Sequence, residues 1–283
     1  MDERSRVWCQ LAAAASMVFL GACGSGKGGG EPIQCYPPAD AVPPVDADRL
    51  PPAGGGFDYQ LGGAYAPPGG VGLVVRDSGA VPAPGVYSVC YLNAFQTQPE
   101  SDWSGDNAGL VLRAPSGNPI IDPDWPDETL LDISTPEKRQ RLVAIVAGWL
   151  DDCAAAGFFA VELDNLDSFT RSGNALDFEA TSAYASALTR AAHARGLAVA
   201  QKNTAEASAC APALGFDFAI TEECWRWDEC DAYTEQYGDR VFDIEYDPAA
   251  FQTGCRANRP PIPILRDLDL VTPGTGYLRE ECE

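Results

Sequence analysis

Histidine is nearly missing from this chain of 283 residues, which contains one, His193. That scarcity excludes metal sites built on histidine clusters. It also leaves any Ser-His-Asp relay dependent on a single side chain. His193 stands in LTRAAHARGL, at the end of a helical pattern and ahead of a strand. There it is expected to pack under the domain or to help the helix C-terminus, not to act as a base. Basic residues are scarce too: 19 Lys plus Arg face 41 Asp plus Glu, for a net charge of −22. A field of that sign argues against nucleic acid and anionic lipid and suits a cationic partner, although acidity also serves solubility alone. Neither GxGxxG nor GxxxxGK[ST] follows any strand-like segment, so an open nucleotide-binding sheet lacks its phosphate turn. Long apolar runs are confined to one place, Val7 to Ala22.

That run follows Arg4 and Arg6 and is too short to span a bilayer comfortably, so residues 1–22 read as a signal peptide. It ends Leu20-Gly21-Ala22-Cys23, which resembles the lipobox of bacterial lipoproteins. The resemblance implies lipidation of Cys23 and anchoring to a membrane at the cell surface or in the periplasm. Ordinary secretion with cleavage near Ala22 is the alternative. Residues 23–56 hold GSGKGGG, YPPAD and LPPAGGG, a composition that cannot bury a core and reads as a flexible tether. Residues 57–283 then form one domain, and nothing in them bears on oligomeric state.

Cysteine usage agrees with export. Besides Cys9 and Cys23, eight remain, and an even set in an exported chain suggests up to four disulfides. With thiols far apart and one histidine, no metal site is expected. Cys224 and Cys230 are close enough to clip one loop, and Cys35 with Cys282 would tie the termini together.

Eight apolar segments read as strands: 57–61, 71–76, 85–93, 157–164, 196–202, 216–223, 240–246 and 261–267. Between the later ones lie helical patterns. Thr135-Pro136-Glu137 supplies a cap, a first-turn proline and an acid, and the helix it opens ends at Gly157. A second runs from about Asp177 to Arg195 and ends at Gly196. Strand, helix and strand in repetition demand a parallel sheet, and eight strands at this length match a closed (β/α)8 barrel.

Acids gather where these strands end: Asp77, Glu162 and Asp164, Glu222 and Glu223, Glu245 and Asp267. In such a barrel the C-terminal strand ends form the active face. Alternation sends Glu162 and Asp164 the same way and sets Glu222 against Glu223. Helix capping and loop solvation explain any one strand-end acid, but explain a ring of them poorly. Apposed carboxylates in a barrel mouth suit glycoside hydrolysis, where one acid protonates the departing oxygen and the other attacks or activates water. Alternation by itself leaves the pair open among Glu162, Asp164, Glu222 and Glu223. Around the pair Asp77, Tyr91, Asn93 and Glu162 are expected to contact substrate, with Asn165, Lys202 and Asn203. Glu245, Tyr246 and Arg266 complete that set. Trp103, Trp125, Trp225 and Trp227 offer faces for sugar stacking, although a buried tryptophan is more often core. The acidic stretch DPDWPDE at 122–128 lacks EF-hand spacing and reads as a solvated loop, not a calcium site.

The segments DYQLGG, VCYLNAF, ETLLDI, GFFAVELDNLDSF, LAVAQKN, FDFAITEEC and VFDIEY together resemble the endo-α-1,4-polygalactosaminidase family of glycoside hydrolases, family 114. The resemblance covers nearly the whole domain. It implies a (β/α)8 barrel without a cofactor, acting on polysaccharide that contains galactosamine or N-acetylgalactosamine. Asp164 matches the aspartate of the family's E-x-D-N motif, Glu222 the glutamate of E-x-C, and Lys202 the lysine of K-N. Retention with Asp164 as nucleophile and Glu222 as acid/base is what the resemblance implies. A non-catalytic surface lipoprotein that binds an amino-sugar polymer is one alternative, and hydrolysis of a different α-linked glycan is another.

Overall fold

The computed structural model describes residues 33–98 and 101–283. The expectations for residues 1–22 and for Cys23 lie outside them. Eight parallel strands run in chain order: β1 (Gly56–Gln60), β2 (Val71–Asp77), β3 (Tyr87–Asn93), β4 (Ala160–Asp164), β5 (Ala198–Lys202), β6 (Phe218–Glu222), β7 (Val241–Glu245) and β8 (Ile264–Arg266). A ninth, β9 (Arg279–Glu281), pairs antiparallel with β8. Each of the first eight falls within or beside one of the segments picked out by hydropathy, whereas β9 is not among them. Its REE sequence carries no apolar alternation, because it lies on the outer edge and buries little.

The barrel is nearly closed. Its seam between β8 and β1 is stitched by side chains around Asp58, which is fully buried. Arg279 Nε donates to Asp58 Oδ1 at 3.1 Å, and its Nη2 donates to the Phe57 carbonyl at 2.8 Å. Arg266 reaches across the same seam, 3.4 Å from Asp58 Oδ1 and hydrogen-bonded to the Tyr59 carbonyl.

The helices are α1 (Pro136–Ala156), α2 (Phe178–His193), α3 (Cys224–Trp227), α4 (Cys230–Tyr237) and α5 (Pro248–Ala257). Among the described residues the β1–β2 and β2–β3 connections carry no helix. Helix α1 starts where its sequence says: Thr135 Oγ1 accepts from Lys138 N, Pro136 takes the first turn, and Gly157 at φ 96° ends it. Its buried stripe, Leu142, Val146, Leu150 and Cys153, recurs at helical spacing and faces the sheet. Inside the barrel, small and large side chains interlock, with Ala160, Ala198 and Ala200 against Phe57, Phe218 and Phe242.

The part of the Gly/Pro-rich stretch that the structure describes, 33–56, crosses beneath the barrel at the N-terminal ends of the strands. Val45 packs against the interior cluster. Arg190 donates to the carbonyls of Asp40 and Ala41, Tyr87 to that of Arg49, and Arg240 to that of Pro51. His193, at the end of α2, lies between the Pro43 carbonyl at 2.6 Å and Asp217 at 2.8 Å. It therefore holds the underside, well away from the strand ends that carry the acids.

Four disulfides are present. Cys224–Cys230 is as expected. The expected Cys35–Cys282 bridge is not formed: Cys35 joins Cys210 and Cys282 joins Cys255. Cys35 runs along the underside near the loop after β5. Cys282 follows β9 on the seam and meets α5, so Cys35 and Cys282 belong to different bridges. Cys90–Cys153 ties β3 to α1. Such a set belongs to an oxidising, extracytoplasmic compartment.

Candidate active site

The last residues of β4, β5 and β6 are Asp164, Lys202 and Glu222, and the same backbone device follows each. Asn165, Asn203 and Glu223 all adopt left-handed conformations, at φ 67°, 48° and 61°. Asparagine tolerates that region, whereas glutamate enters it at a cost of about 1 kcal/mol or more. The turn it makes sends the chain abruptly outward and leaves the preceding side chain facing the barrel axis. Glu223 consequently points away from Glu222 and pairs with Arg226 at 2.5 Å.

At the centre stands the Lys202 ammonium, 3.0 Å from Glu162 Oε1, 3.2 Å from Glu222 Oε2 and 3.4 Å from Asp164 Oδ1. Burial alone would lower its pKa, but Asp164, Glu162 and Glu222 outweigh it and hold the lysine firmly cationic. Three carboxylates share that cation, and their exposure separates them. The Glu162 side chain is sealed at 0%, whereas Asp164 is 19% and Glu222 29% exposed. Burial pushes Glu162 up to about 7, with Lys202 pulling it down and Asp164 pushing it further up.

Each open carboxylate is gripped by a tyrosine. Tyr91 donates to Asp164 Oδ2 at 2.6 Å, and Tyr246 donates to Glu222 Oε1 at 2.6 Å. Burial raises both phenols well above the ordinary range, so they remain donors. Backbone and amide groups complete the grip. Asn165 N donates to Asp164 Oδ1 at 2.8 Å, and Asn203 Nδ2 to Glu222 Oε2 at 3.1 Å. Asn165 Nδ2 donates in turn to Asn93 Oδ1 at 2.9 Å.

Of the residues expected in the mouth, Tyr91, Asn93, Glu162, Asp164, Asn165, Lys202, Asn203, Glu222 and Tyr246 form this one connected network. Three others do not join it. Asp77 turns back on its own loop, accepting from Gly79 N at 2.8 Å. Arg266 is buried in the barrel seam, as described above. Glu245 points outward on β7, because alternation places it opposite Ile244 and Tyr246. Its Oε1 accepts from the backbone N of Trp225 at 2.8 Å and of Arg226 at 3.3 Å, capping α3. Asp243, two residues earlier on the same face, accepts from Thr221 Oγ1 at 2.7 Å and Cys224 N at 3.2 Å. Cys224, Cys230 and Asp243 would make a ligand trio, but both sulfurs are committed to the disulfide.

Two residues of the network were missed by sequence reasoning. Tyr59 is wholly buried beneath Lys202. It donates to Glu162 Oε1 at 2.8 Å and accepts from Lys202 Nζ at 3.0 Å. Its inward parity with Phe57 was legible. Glu128, in ETLLDI, accepts from Asn93 Nδ2 at 2.8 Å, and only the loop's path reveals it. Of the tryptophans, Trp125 and Trp227 are each 59% exposed, whereas Trp103 packs on Trp149 and Trp225 bonds to the Pro261 carbonyl.

A parallel barrel whose strand ends hold two solvent-reaching carboxylates on one lysine has the arrangement that glycoside hydrolysis requires. Residues 39–283 match the profile of glycoside-hydrolase family GH114, and the chain belongs to that family. Comparison with functionally curated proteins gives no significant match. Among solved structures, Aspergillus fumigatus Ega3 in complex with galactosamine is similar at a TM-score of 0.65 and 22% identity, covering 84% of this chain and 99% of that one. The glycoside hydrolase domain of PelA from Pseudomonas aeruginosa is similar at 0.52 and 17% identity, covering 78% and 98%. A single-residue variant of that domain gives 0.54 at the same identity. At these identities the likeness carries the barrel fold.

Proposed function

We propose that the protein is an endo-acting hydrolase of α-1,4-linked galactosamine-containing polysaccharide, with Asp164 as nucleophile and Glu222 as acid/base. The observation that carries this reading is the exposure pattern around Lys202: of three carboxylates on one ammonium, only Asp164 and Glu222 open to the mouth. Both oxygens lie within 3.4 Å of the same nitrogen, so they are less than about 7 Å apart, which favours the closer spacing of retaining pairs.

Attack by Asp164 on the anomeric carbon would form a glycosyl ester as Glu222 delivers its proton to the departing oxygen. Water, deprotonated by Glu222, would then release the sugar with its original configuration. Lys202, Tyr91 and Asn165 N keep the Asp164 carboxylate aligned through both steps. Support for the sugar comes from the galactosamine bound to Ega3 and from the net charge of −22, which suits a polymer bearing free amines. The lipobox-like run ending at Cys23 supports attachment of the enzyme to a membrane through a lipid, which metabolic labelling with a fatty acid would test against Cys23→Ser.

The full chain, Asp164→Asn and Glu222→Gln are to be incubated with partially deacetylated poly-α-1,4-galactosamine, with products sized by mass spectrometry and their anomeric form followed by NMR. Short α-anomeric oligomers from the parent and an intact polymer with both variants are expected. Wild-type rates in both folded variants would overturn the assignment, and β-anomeric products would overturn retention.

A further inference from the structure

Sequence alone marks residues 122–128, DPDWPDE, as a solvated loop, yet it is folded tightly against the site. Asp122 Oδ1 accepts from the backbone N of Asp124 at 2.9 Å and of Trp125 at 3.2 Å. Glu128 N donates to the Trp125 carbonyl at 2.9 Å, and Asp122 N to the Glu128 carbonyl at 3.0 Å, so the turn closes on itself. The chain then pairs antiparallel with the segment just after β3, through Thr97 N to Thr129 O at 2.8 Å and Leu131 N to Phe95 O at 3.0 Å. This pairing carries Glu128 to the wall beside Asp164.

Glu128 is 7% exposed, and one of its oxygens, Oε2, accepts from Asn93. Among the described residues the other, Oε1, accepts no hydrogen bond, and it is not among the polar atoms sealed from solvent. Arg171, whose charge reaches Glu128, is engaged by Asp122 at 2.7 Å, Asp167 at 2.6 Å and Asn165 at 2.9 Å. Positioning Asn93 does not require a carboxylate, since a glutamine would accept the same bond without burying a charge. Burial pushes Glu128 up to about 7, Asn93 and Arg171 pull it down, and Asp164 and Asp122 push it further up. An arriving cation would relieve that surplus of negative charge.

We propose that Glu128 accepts the ammonium of a substrate amino sugar through Oε1, in a subsite beside Asp164 that prefers the free amine to its N-acetylated form. This rests on the amino-sugar reading above and names the group that enforces it. Trp125, exposed at the tip of the same turn, offers a sugar ring an aromatic platform.

The test is calorimetric binding of an α-1,4-linked galactosamine tetrasaccharide and its fully N-acetylated counterpart to the full chain carrying Glu222→Gln, so that ligand is not consumed. A charge-assisted contact predicts that the amine form binds on the order of 10- to 100-fold more tightly. Adding Glu128→Gln is expected to erase that preference while leaving the acetylated ligand within about twofold. Glu128→Asp should fall between the two. An unchanged preference in the glutamine variant, an equal loss for both ligands, or no preference in the parent overturns the proposal. Should the glutamine variant not fold, an unchanged preference in Glu128→Asp does so. Polymer cleavage by the parent is scored separately, so failure of the hydrolase reading and failure of the Glu128 assignment give different results.

Discussion

The Lys202 ammonium stands 3.0 Å from Glu162 Oε1, and neither side chain has more than 3% of its surface open. A buried pair of this kind is costly to break from one side, because the remaining charge loses its partner without regaining water. Lys202→Met is therefore expected to destabilise the fold by about 3–5 kcal/mol and to lower kcat at least ~100-fold. Lys202→Met with Glu162→Gln should recover most of the stability, since neither charge is then stranded. It should recover none of the activity, because Asp164 and Glu222 still lack their shared cation. Urea unfolding beside polymer cleavage separates the two effects, and full activity in the double variant would refute the central role of Lys202.

The eight parallel strands and their acidic ends were legible because two periodicities suffice. Alternation along a strand told which acids share a face, and Glu162 and Asp164 do meet on one lysine. The same rule, applied to Tyr246 and Ile244, would have turned Glu245 outward, yet a ring of acids drew it into the mouth. Arg266 misled for another reason. Its strand β8 pairs with β7 and β9 but not with β1, so the Arg266 side chain fills that open seam in place of facing the axis. Glu128 was illegible because its place depends on an irregular loop folding back from residue 97 to residue 129, which no local pattern encodes.

The underside should loosen as pH rises. His193 is flanked by two acceptors, the Pro43 carbonyl and Asp217, and only the protonated ring can donate to both. Burial would lower its pKa, but Asp217 and Pro43 raise it above its ordinary value. Because the folded state binds that proton more tightly, its stabilisation is complete below about pH 6.5 and fades as pH rises through the folded value. His193→Ala is expected to cost about 1–3 kcal/mol at pH 6, with the gap to the parent narrowing at higher pH. Urea midpoints measured across pH check this, and a gap that widens with pH would refute it.

Glu245 should show the same sign in a lower window. Burial pushes it up to about 7, while the N–H groups of Trp225 and Arg226 pull it down. Burial also raises Asp243 well above its usual range, with Glu245 pushing it higher. The two acids are therefore expected to share one proton under α3. A raised acid stabilises the fold below its unfolded pKa, near 4.3, and loses that stabilisation as pH climbs toward 7. Glu245→Gln supplies a permanent donor to Asp243 and should flatten the fall between pH 4.5 and 7. Glu245→Ala leaves the backbone N–H groups of α3 uncapped and should cost about 1–3 kcal/mol at any pH. A glutamine variant as pH-sensitive as the parent would show that no proton is shared.

The disulfides should differ in weight according to the loops they close. Cys35–Cys210 spans 175 residues and pins the segment beneath the barrel, whereas Cys224–Cys230 spans only 6 beside α3. Cross-linking stabilises chiefly by restricting the unfolded chain, and the restriction grows with loop length. Replacing Cys35 and Cys210 with serine should therefore cost about 4–5 kcal/mol, near the upper end for a native bridge. The segment 33–56 adds to that loss, since its contacts through Pro43, Arg49 and Pro51 would have to survive without a covalent anchor. Replacing Cys224 and Cys230 should cost about 2 kcal/mol or less by the same reasoning. Its larger effect should fall on catalysis, because the clipped loop begins two residues after Glu222. Thermal unfolding paired with kcat sorts these outcomes: equal stability losses from the two variants would show that strain or local contacts, and not loop closure, set their worth.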